Sequence, residues 1–465
     1  MPGVTRAVII GGGPGGYEAA LVAAQLGAEV TVVDRDGAGG SCVLTDCVPS
    51  KTLIATAEVM TMAAESAELG VRLGGGAASP DVVSVDLAAV NARVKALARA
   101  QSLDVRDRVE GEGVRWVEGV GRLDGPASVV ASGTAGAQER LEADVVLVAT
   151  GAHPRVLPTA VPDGERILTW EQVYDLPAVP ERLVVVGSGV TGAEFASAFQ
   201  ALGSRVTLVS SRERVLPGED PDAAEVLEGV FRRRGMAVLG RSRAVAARRT
   251  ADGVLVTLDD GRTVEGSHCL MAVGSIPNTD AVGLPESGVR LGPGGFVEVD
   301  RVSRTSARGV YAAGDCTGVH LLASVAAMQG RIAMWHALGD AVAPLDLGTV
   351  SATVFTEPEI ATVGVTQADV DAGRINAVSV KLPLDTNARA KMQGLHDGFV
   401  KLFCRAGTRI VVGGVVVAPR ASELVFPLAL AVEQRLTVDE VAQTFTVYPS
   451  LSGSLAEAAR RLHLP

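Results

Sequence analysis

An apolar run followed by a glycine-rich turn opens the chain. The run Ala7–Ile10 leads into Gly11–Gly16, where five of six residues are glycine, and then into Tyr17–Leu26, whose apolar positions recur at helical spacing. A second apolar run, Val30–Val33, ends in Asp34. This order predicts a strand, a tight loop and a helix, followed by a second strand that carries an acidic residue at its end.

The same pattern returns 176 residues later. The apolar run Leu183–Val186 leads into Gly187–Gly192, a helical stretch continues to Leu202, and the run Val206–Val209 follows. Repetition at a fixed offset indicates an internal structural repeat. We therefore predict two dinucleotide-binding units in one chain.

Two further apolar runs end in small-residue turns. Val145–Val148 precedes Ala-Thr-Gly, and Leu270–Val273 precedes Gly274. Pro154 and Pro277 follow the two turns, and residues next to proline favour extended backbone. We expect the chain to cross between domains at these two places.

Beyond residue 345 no glycine loop occurs and strand and helix patterns mix. This part of the chain is predicted to form a third domain without a phosphate-binding loop.

The G-x-G-x-x-G loops carry a specific chemistry. The first glycine permits the turn, the second lets a pyrophosphate approach the backbone, and the third lets helix and strand pack closely. Asp34 ends the second strand of the first unit, where a carboxylate accepts both ribose hydroxyls of an adenosine; a surface turn acid is the alternative. The second unit has Ser210 there, and Arg212 or Arg214 close by would pair with a 2′-phosphate, unless that arginine is merely solvated. The prediction therefore leans to NADPH over NADH.

The composition excludes several classes of protein. The 465 residues are 47% hydrophobic and 20% charged, as in globular domains, and 53 acidic against 42 basic side chains give a net charge of −11. A negative chain repels phosphate backbones, so no nucleic-acid partner is expected, and no apolar stretch approaches the ~18 residues of a membrane span. Five cysteines are too few for a disulfide framework, and no secretory signal precedes Gly11, so we expect a cytoplasmic protein.

Residues 39–51 read Gly-Gly-Ser-Cys-Val-Leu-Thr-Asp-Cys-Val-Pro-Ser-Lys. This segment resembles the G-G-T-C-x-x-x-x-C-x-P-S-K motif of the pyridine nucleotide–disulfide oxidoreductases. The resemblance extends over nearly the whole chain through residues 149–151, 187–194, 314–315 and 355–359. It implies an α/β fold with two Rossmann-like domains, one for FAD and one for NAD(P)H, and an α+β dimerisation domain.

The resemblance also implies domain limits and partners. We expect an FAD-binding domain in two segments, 1–154 and 276–345, an inserted NAD(P)H-binding domain at 155–275, and a dimerisation domain at 346–465. The expected cofactors are FAD and either NADPH or NADH. The expected assembly is a homodimer, and no metal is expected.

The same resemblance assigns candidate site residues. Lys51 and Glu194 match the family pair that meets near flavin N5, and Asp315 and Ala323 match positions beside the ribityl chain and the flavin. Together with Cys42, Cys47 and Tyr448, Lys51 and Glu194 form the predicted catalytic set. The predicted cofactor-binding set comprises Gly11, Gly13, Pro14, Gly16, Asp34, Gly40, Ser41, Lys51, Gly121, Thr150, Gly151, Gly187, Gly189, Gly192, Ser210, Arg212, Gly274, Gly314, Asp315 and Ala323.

The motif cysteines are five residues apart. On an ideal helix that separation is a rise of ~7.5 Å, which exceeds the ~7 Å limit for bridged Cα atoms. A disulfide between Cys42 and Cys47 therefore needs a distorted first turn, which the family resemblance implies; two inert thiols are the alternative. Cys269, Cys316 and Cys404 stand alone in apolar strands or turns, and we expect them to be packing residues.

The chain departs from the family where the proton acceptor for thiol exchange should be. The family motif H-x-H-P-T-x-x-E is replaced by Thr-Val-Tyr-Pro-Ser-Leu-Ser-Gly at residues 446–453, with Tyr448 at the histidine and Gly453 at the glutamate. A tyrosine of pKa ~10 is protonated at neutral pH and is no ready base. The altered segment also resembles a quinone reductase branch of the family. Tyr448 is then either a phenol that packs against or hydrogen-bonds a quinone, or a purely structural residue.

These observations favour an FAD-dependent NAD(P)H:quinone oxidoreductase. In this hypothesis a hydride passes from NAD(P)H to flavin N5, and electrons then pass to a quinone-type acceptor. One alternative is an NAD(P)H-dependent disulfide reductase, like dihydrolipoamide dehydrogenase, that uses Cys42 and Cys47 with an unrecognised base. Another is a redox-inactive nucleotide-binding sensor.

Overall fold

The computed structural model describes residues 4–72, 83–133 and 136–463. These residues form mixed helices and strands. The strands in chain order are β1 (Arg6–Ile10), β2 (Glu29–Asp34), β3 (Arg115–Leu123), β4 (Ser128–Gly133), β5 (Gln138–Glu142), β6 (Val145–Val148), β7 (Ala152–Pro154), β8 (Ile167–Leu168), β9 (Arg182–Val186), β10 (Arg205–Val209), β11 (Ala237–Leu239), β12 (Ala244–Arg249), β13 (Val254–Leu258), β14 (Thr263–Gly266), β15 (His268–Met271), β16 (Ser275–Pro277), β17 (Val310–Ala312), β18 (Ser351–Val354), β19 (Glu359–Gly364), β20 (Ala377–Pro383), β21 (Phe399–Arg405) and β22 (Val411–Ala418).

The α-helices lie between these strands or follow them. In chain order they are α1 (Pro14–Gln25), α2 (Gly40–Leu44), α3 (Cys47–Glu65), α4 (Leu87–Gly111), α5 (Val190–Ala201), α6 (Pro221–Arg233), α7 (Ala323–Ala337), α8 (Gln367–Asp371), α9 (Ala388–Met392), α10 (Ala421–Leu424), α11 (Phe426–Glu433), α12 (Val438–Gln443) and α13 (Gly453–Leu462). None of the helices in the described ranges has the length and apolar character needed to cross a bilayer.

The chain divides into two compact units. The first unit contains residues 1–50, 91–155 and 274–346, and the second contains residues 51–90, 156–273 and 347–465. The chain passes between them near residues 155 and 273, where the sequence predicted domain crossings. The four-segment division into FAD, NAD(P)H and dimerisation domains stays a prediction.

A seven-stranded sheet forms the centre of the first unit. Its order is β17-β6-β1-β2-β3-β4-β5, parallel from β17 to β3 and antiparallel beyond. Alternate residues of β1 enter separate apolar clusters, with Ile9 in one and Ile10 in the other, so both faces of the sheet are covered. A sheet buried on both faces explains the continuous apolar run at Ala7–Ile10.

The two crossing segments form a ribbon in the first unit. Strand β7 pairs antiparallel with β16, so that Pro154 lies opposite Ser275 and Ala152 opposite Pro277. The prolines therefore lie in extended backbone, as predicted. The strand expected at Leu270–Val273 instead spans His268–Met271, because its pairing with β9 begins two residues earlier.

The second unit contains two larger sheets and one small one. A parallel sheet has the order β11-β10-β9-β15-β8, beside a three-stranded antiparallel sheet, β12-β13-β14. The last sheet, β18-β19-β22-β21-β20, is antiparallel throughout, and helices α10, α11 and α13 pack against it. The predicted α/β fold with two Rossmann-like sheets and an α+β C-terminal part is confirmed.

Candidate active site

The first glycine loop joins β1 to α1. Gly11 has φ +104°, and a Cβ there would lie 2.2 Å from the Ala149 oxygen; a Cβ on Gly16 would lie 1.9 Å from the Gly11 oxygen. Gly13 differs, because its Cβ would meet nothing nearer than the Cα of Gly40, at 3.9 Å. Gly13 precedes Pro14, the first residue of α1, where helix amides face outward. The geometry explains the glycines at 11 and 16 by the turn and by close packing, and the role of Gly13 beside a pyrophosphate stays a prediction.

Asp34 lies at the carboxyl end of β2, next to the first glycine loop. Its Oδ2 accepts a 2.6 Å hydrogen bond from the Gly12 amide, and its Oδ1 accepts from the amides of Asp36 and Gly37 at 2.8 and 2.7 Å. Three backbone amides thus hold the Asp34 carboxylate in place beside the first glycine loop. A dinucleotide with an unmodified adenosine ribose fits this arrangement.

The second glycine loop, between β9 and α5, repeats the first. Gly187 has φ +111°, and a Cβ there would lie 2.0 Å from the Ala272 oxygen. A Cβ on Gly192 would lie 1.9 Å from the Gly187 oxygen, while a Cβ on Gly189 would meet no atom within 4 Å. The predicted repeat is therefore confirmed at the level of backbone contacts. This loop also fits a dinucleotide.

The acid of the first unit has no counterpart in the second. Ser210 is fully buried, and its hydroxyl lies 2.7 Å from that of Ser188. Arg212 and Arg214 follow on an exposed loop, and neither forms an ion pair within the described ranges. The Ser210 hydroxyl therefore points into the fold and bonds to Ser188. The positive charge on the surface of this loop comes from Arg212 and Arg214.

The two motif cysteines both belong to the first unit and lie on different helices. Gly40, Ser41 and Cys42 belong to the short helix α2, and α3 begins at Cys47. Thr45, with φ −136° and ψ −9°, interrupts the helix between the cysteines. The predicted distortion is confirmed. A Cβ on Gly40 would lie 2.8 Å from the Cα of Gly13, so this segment runs close to the glycine loop.

Lys51 and Glu194 form an ion pair in the second unit. The Lys51 Nζ lies 2.8 Å from the Glu194 Oε2, and the glutamate side chain is only 4% exposed. Lys51 lies on α3, and Glu194 lies one turn after Gly189 on α5. The structure therefore brings together two residues that are 143 positions apart, as the resemblance implied.

Asp315 and its neighbours follow the edge strand β17. Burial, and secondarily the charge of Asp46, raises the pKa of Asp315 to about 6. Gly314, at φ +84°, donates its amide to the buried Gln329 side chain, and Ala323 begins α7. A partly buried acid whose pKa is raised in this way is a candidate for binding a polyol chain.

The other predicted cofactor-binding residues of the first unit lie in the crossing ribbon and in β3. Thr150 and Gly151 precede β7 and Gly274 precedes β16, and the two turns exchange hydrogen bonds with the ribbon. Gly121 lies within β3, where a Cβ would stand 2.9 Å from the Ile10 side chain. Close packing alone therefore explains the glycine at 121.

Tyr448 is 86% exposed in the second unit. Phe445 and Val447, which flank it, are also exposed, and the segment borders a cleft of about 290 Å³ lined in part by Asn387 and Ser450. A cluster of exposed apolar side chains of this kind is typical of an interface.

Sequence reasoning missed the residues that hold Glu194. The amide of Phe355 donates to the Glu194 Oε1 at 2.9 Å, and the Lys51 Nζ lies 4.9 Å from the centre of the Phe355 ring. Ser197 accepts from the amide of Glu357 at 3.2 Å. The motif at residues 355–359 was the available signal, but the sequence gives no indication of what it contacts.

Cys269, Cys316 and Cys404 are fully buried, as predicted for packing residues.

Comparisons with known proteins agree with this geometry. Residues 5–330 match the pyridine nucleotide-disulphide oxidoreductase family, and residues 350–459 match the dimerisation domain of that family. The crystal structure of LpdA from Mycobacterium tuberculosis is 56% identical, with a TM-score of 0.94 over 99% of this chain and 100% of that one. The chain belongs to the pyridine nucleotide-disulphide oxidoreductase family.

Two curated relatives are similar over almost the whole chain. A Mycobacterium tuberculosis protein named NAD(P)H dehydrogenase (quinone) is 57% identical, covering 99% of this chain and 94% of the relative. Dihydrolipoyl dehydrogenase 2 of Haloarcula marismortui is 34% identical, covering 98% and 96%. The protein is an oxidoreductase whose family uses FAD and NAD(P)H, and its dimerisation domain supports a homodimer.

Proposed function

We propose that this oxidoreductase transfers electrons from NAD(P)H to a quinone-type acceptor with FAD as its cofactor. The observation that carries the proposal is the replacement of the family's proton acceptor by Tyr448, with Gly453 where an orienting glutamate would stand. A phenol does not take a thiol proton readily at neutral pH. Similarity to a relative named NAD(P)H dehydrogenase (quinone) supports the same acceptor.

The overall reaction requires two electrons and two protons for each quinone. NAD(P)H supplies a hydride and solvent supplies one proton, so that NAD(P)H, one proton and quinone give NAD(P)⁺ and hydroquinone. When bound, FAD supplies a carrier that takes two electrons from a nicotinamide and gives them to a second substrate. The chain itself has to hold both nucleotides, orient them and control the charge around them.

We assign these tasks to the residues described above. The first glycine loop and Asp34 would hold the adenosine half of FAD, and the second glycine loop would hold the NAD(P)H pyrophosphate. Lys51, paired with the buried Glu194, would place a fixed positive charge next to the flavin. Asp315 and Ala323 would lie beside the ribityl chain and the flavin.

We further propose that NADPH is preferred to NADH. Ser210 removes the carboxylate that would repel a 2′-phosphate, and the hydrogen bond with Ser188 keeps its hydroxyl inside the fold. Arg212 and Arg214 then offer guanidinium groups on the exposed loop.

A substrate panel tests the proposed acceptor. We expect the purified holoenzyme to reduce benzoquinones and naphthoquinones at least tenfold faster than lipoamide or glutathione disulfide, with NADPH as donor. A disulfide rate comparable to the quinone rate would establish the second candidate, a disulfide reductase, which the retained Cys42 and Cys47 favour. A flavin whose absorbance is unchanged on anaerobic addition of NADPH would overturn both in favour of a nucleotide sensor.

The tyrosine at position 448 allows a second test. We expect Tyr448→Phe to change the quinone rate by less than about tenfold, since a phenol hydrogen bond contributes about 1 kcal/mol. Tyr448→His restores the imidazole of the family motif. A large gain in lipoamide turnover in that variant supports the view that the missing base blocks thiol chemistry.

A further inference from the structure

The loop between β18 and β19 contacts both members of the Lys51–Glu194 pair. One glutamate oxygen, Oε2, accepts from the Lys51 ammonium at 2.8 Å, and the other, Oε1, accepts from the Phe355 amide at 2.9 Å. The Phe355 ring also faces the ammonium, with its centre 4.9 Å from Nζ. A single residue of this loop therefore contacts the carboxylate through its backbone and the ammonium through its ring.

Because the Glu194 side chain is buried, its carboxylate depends on the hydrogen bond from the Phe355 amide. The Glu194 side chain is 4% exposed, and a carboxylate removed from water is stable only when its oxygens are paired. A backbone amide next to a strand is a donor in a fixed place, whereas the Lys51 side chain, 30% exposed, has rotamer freedom of its own. The amide therefore sets the orientation of the carboxylate, and the carboxylate directs the ammonium.

The loop is itself held in place by the surrounding helices. Ser197, one turn after Glu194 on α5, accepts from the Glu357 amide at 3.2 Å. Arg234 donates to the Glu357 carbonyl at 3.4 Å and pairs with Glu65 on α3 at 2.8 Å. Contacts to Ser197 of α5 and to Arg234, just after α6, therefore hold the backbone at Glu357, two residues from Phe355.

We propose that Phe355 is a positioning residue for the Lys51–Glu194 pair, fixing the carboxylate through its amide and the ammonium through its ring. This inference rests on the proposed placement of Lys51 beside the flavin. A cation over an aromatic face is attracted by the ring quadrupole. Without the ring, the ammonium moves toward water, and the positive charge that favours electrons on the cofactor becomes weaker.

The variant Phe355→Leu separates the two contacts, because it keeps the amide and most of the apolar volume but removes the aromatic face. We expect the holoenzyme to retain its flavin and melt within a few degrees of wild type. Its flavin should become about tenfold harder to reduce at equilibrium, which for two electrons is a midpoint shift of about 30 mV to lower potential. Phe355→Tyr should restore the wild-type potential, since it retains the ring.

A double variant shows whether the effect passes through the lysine. Lys51→Met alone should lower the midpoint potential, and Lys51→Met with Phe355→Leu should lower it no further, because the ring then has no ammonium to hold. Phe399→Leu is the matched control, since Lys381 lies 5.7 Å from that ring elsewhere in the same sheet. We expect no change of potential in the control.

Several outcomes would overturn the proposal. An unchanged potential in Phe355→Leu, or shifts that add fully in the double variant, would show that the ring does not act through Lys51. An unchanged potential in Lys51→Met would overturn the placement of Lys51 as well. None of these measurements uses a quinone, so a failed acceptor assignment is recognised separately, by the substrate panel alone.

Discussion

The two glycine loops have the same backbone conformation, but the second strand of each unit ends in a different residue. The residue before each helix has nearly identical angles, φ −68° and ψ −175° at Gly13 and φ −72° and ψ −172° at Gly189. The first amide of each loop donates at 2.9 Å to the end of the neighbouring strand, Gly11 to Val33 and Gly187 to Val209. The loops therefore share one backbone conformation, which the glycine positions and the same hydrogen bond to the neighbouring strand explain.

The difference lies at one pair of positions. In the first unit the Gly12 amide binds Asp34, and in the second the Ser188 hydroxyl binds Ser210. Two positions further on, the second unit has the exposed Arg212 where the first has Asp36, and the exposed Arg35 of the first unit is paired with that aspartate. Under the proposed nucleotide assignment, the two units are alike where a pyrophosphate would bind and differ where an adenosine ribose would bind.

Adding a methyl group to the first glycine of either loop should have the largest effect. Gly11→Ala and Gly187→Ala each put a Cβ about 2 Å from a backbone oxygen, at a φ that alanine rarely adopts. We expect Gly11→Ala to yield protein without bound flavin. Gly187→Ala should retain flavin and weaken NADPH binding at least tenfold, about 1.4 kcal/mol or more.

Absorbance at the flavin band and NADPH titration measure these effects. Gly111→Ala is the control, because a Cβ there meets no atom within 4 Å and its φ is not in the left-handed region. Loss of flavin from Gly187→Ala, with NADPH binding intact in Gly11→Ala, would reverse the assignment of the two loops.

Exchanging the ends of the second strands sharpens the comparison. The double variant Ser188→Gly and Ser210→Asp gives the second unit the residues that the first unit uses. We expect kcat/KM for NADPH to fall by about 10- to 100-fold, since a carboxylate repels the 2′-phosphate, while NADH is affected much less. Steady-state kinetics with both nucleotides provide the check, and an equal loss for both would contradict the proposed basis of preference.

Each unit also contains an acidic group whose burial raises its pKa, Asp315 in the first and Glu357 in the second. The pKa of Glu357 is raised to about 7. The unfolded carboxyl loses its proton near pH 4.3, so between pH 4.3 and 7 the folded chain binds more protons and stability falls as pH rises. The advantage of Glu357→Gln over wild type should therefore be smallest at pH 5 and grow as the pH rises, reaching on the order of 1 to 3 kcal/mol more at pH 8 than at pH 5.

Thermal unfolding of the two proteins across pH 5–8 measures this difference. The exposed residue Glu112 provides a matched control, and Glu112→Gln should behave like wild type at every pH. A Glu357→Gln curve parallel to wild type over the whole range would show that Glu357 is ionised in the folded protein.

The smallest effect is expected at the cysteines, which follow the first loop and have no equivalent after the second. If electrons reach the quinone without thiol chemistry, Cys47→Ser should keep quinone reduction within a few-fold of wild type. Complete loss of activity in a variant that still binds flavin would contradict direct electron transfer to the quinone. The same variant assayed with lipoamide shows whether any thiol reactivity remains.

Much of the local structure could be predicted because its causes are local. A fully buried parallel strand needs an unbroken apolar run, so β1, β2, β6, β9 and β10 could be placed to within one or two residues. The distorted segment between Cys42 and Cys47 was implied by the family resemblance, whereas helix geometry showed only that a disulfide there would need it. Strand β15 begins and ends two residues earlier than predicted, because its pairing with β9 decides where it begins and ends.

The amino-acid sequence by itself determined the two glycine loops, the acid that one has and the other lacks, and the loss of the histidine at Tyr448. Each depends on residue type and spacing along a few consecutive positions. Only the tertiary structure decided that Phe355 contacts Lys51 and Glu194, and that Ser210 turns inward to Ser188. Contacts between distant segments depend on how sheets and helices pack together, and short-range patterns in the chain do not specify which side chains then meet.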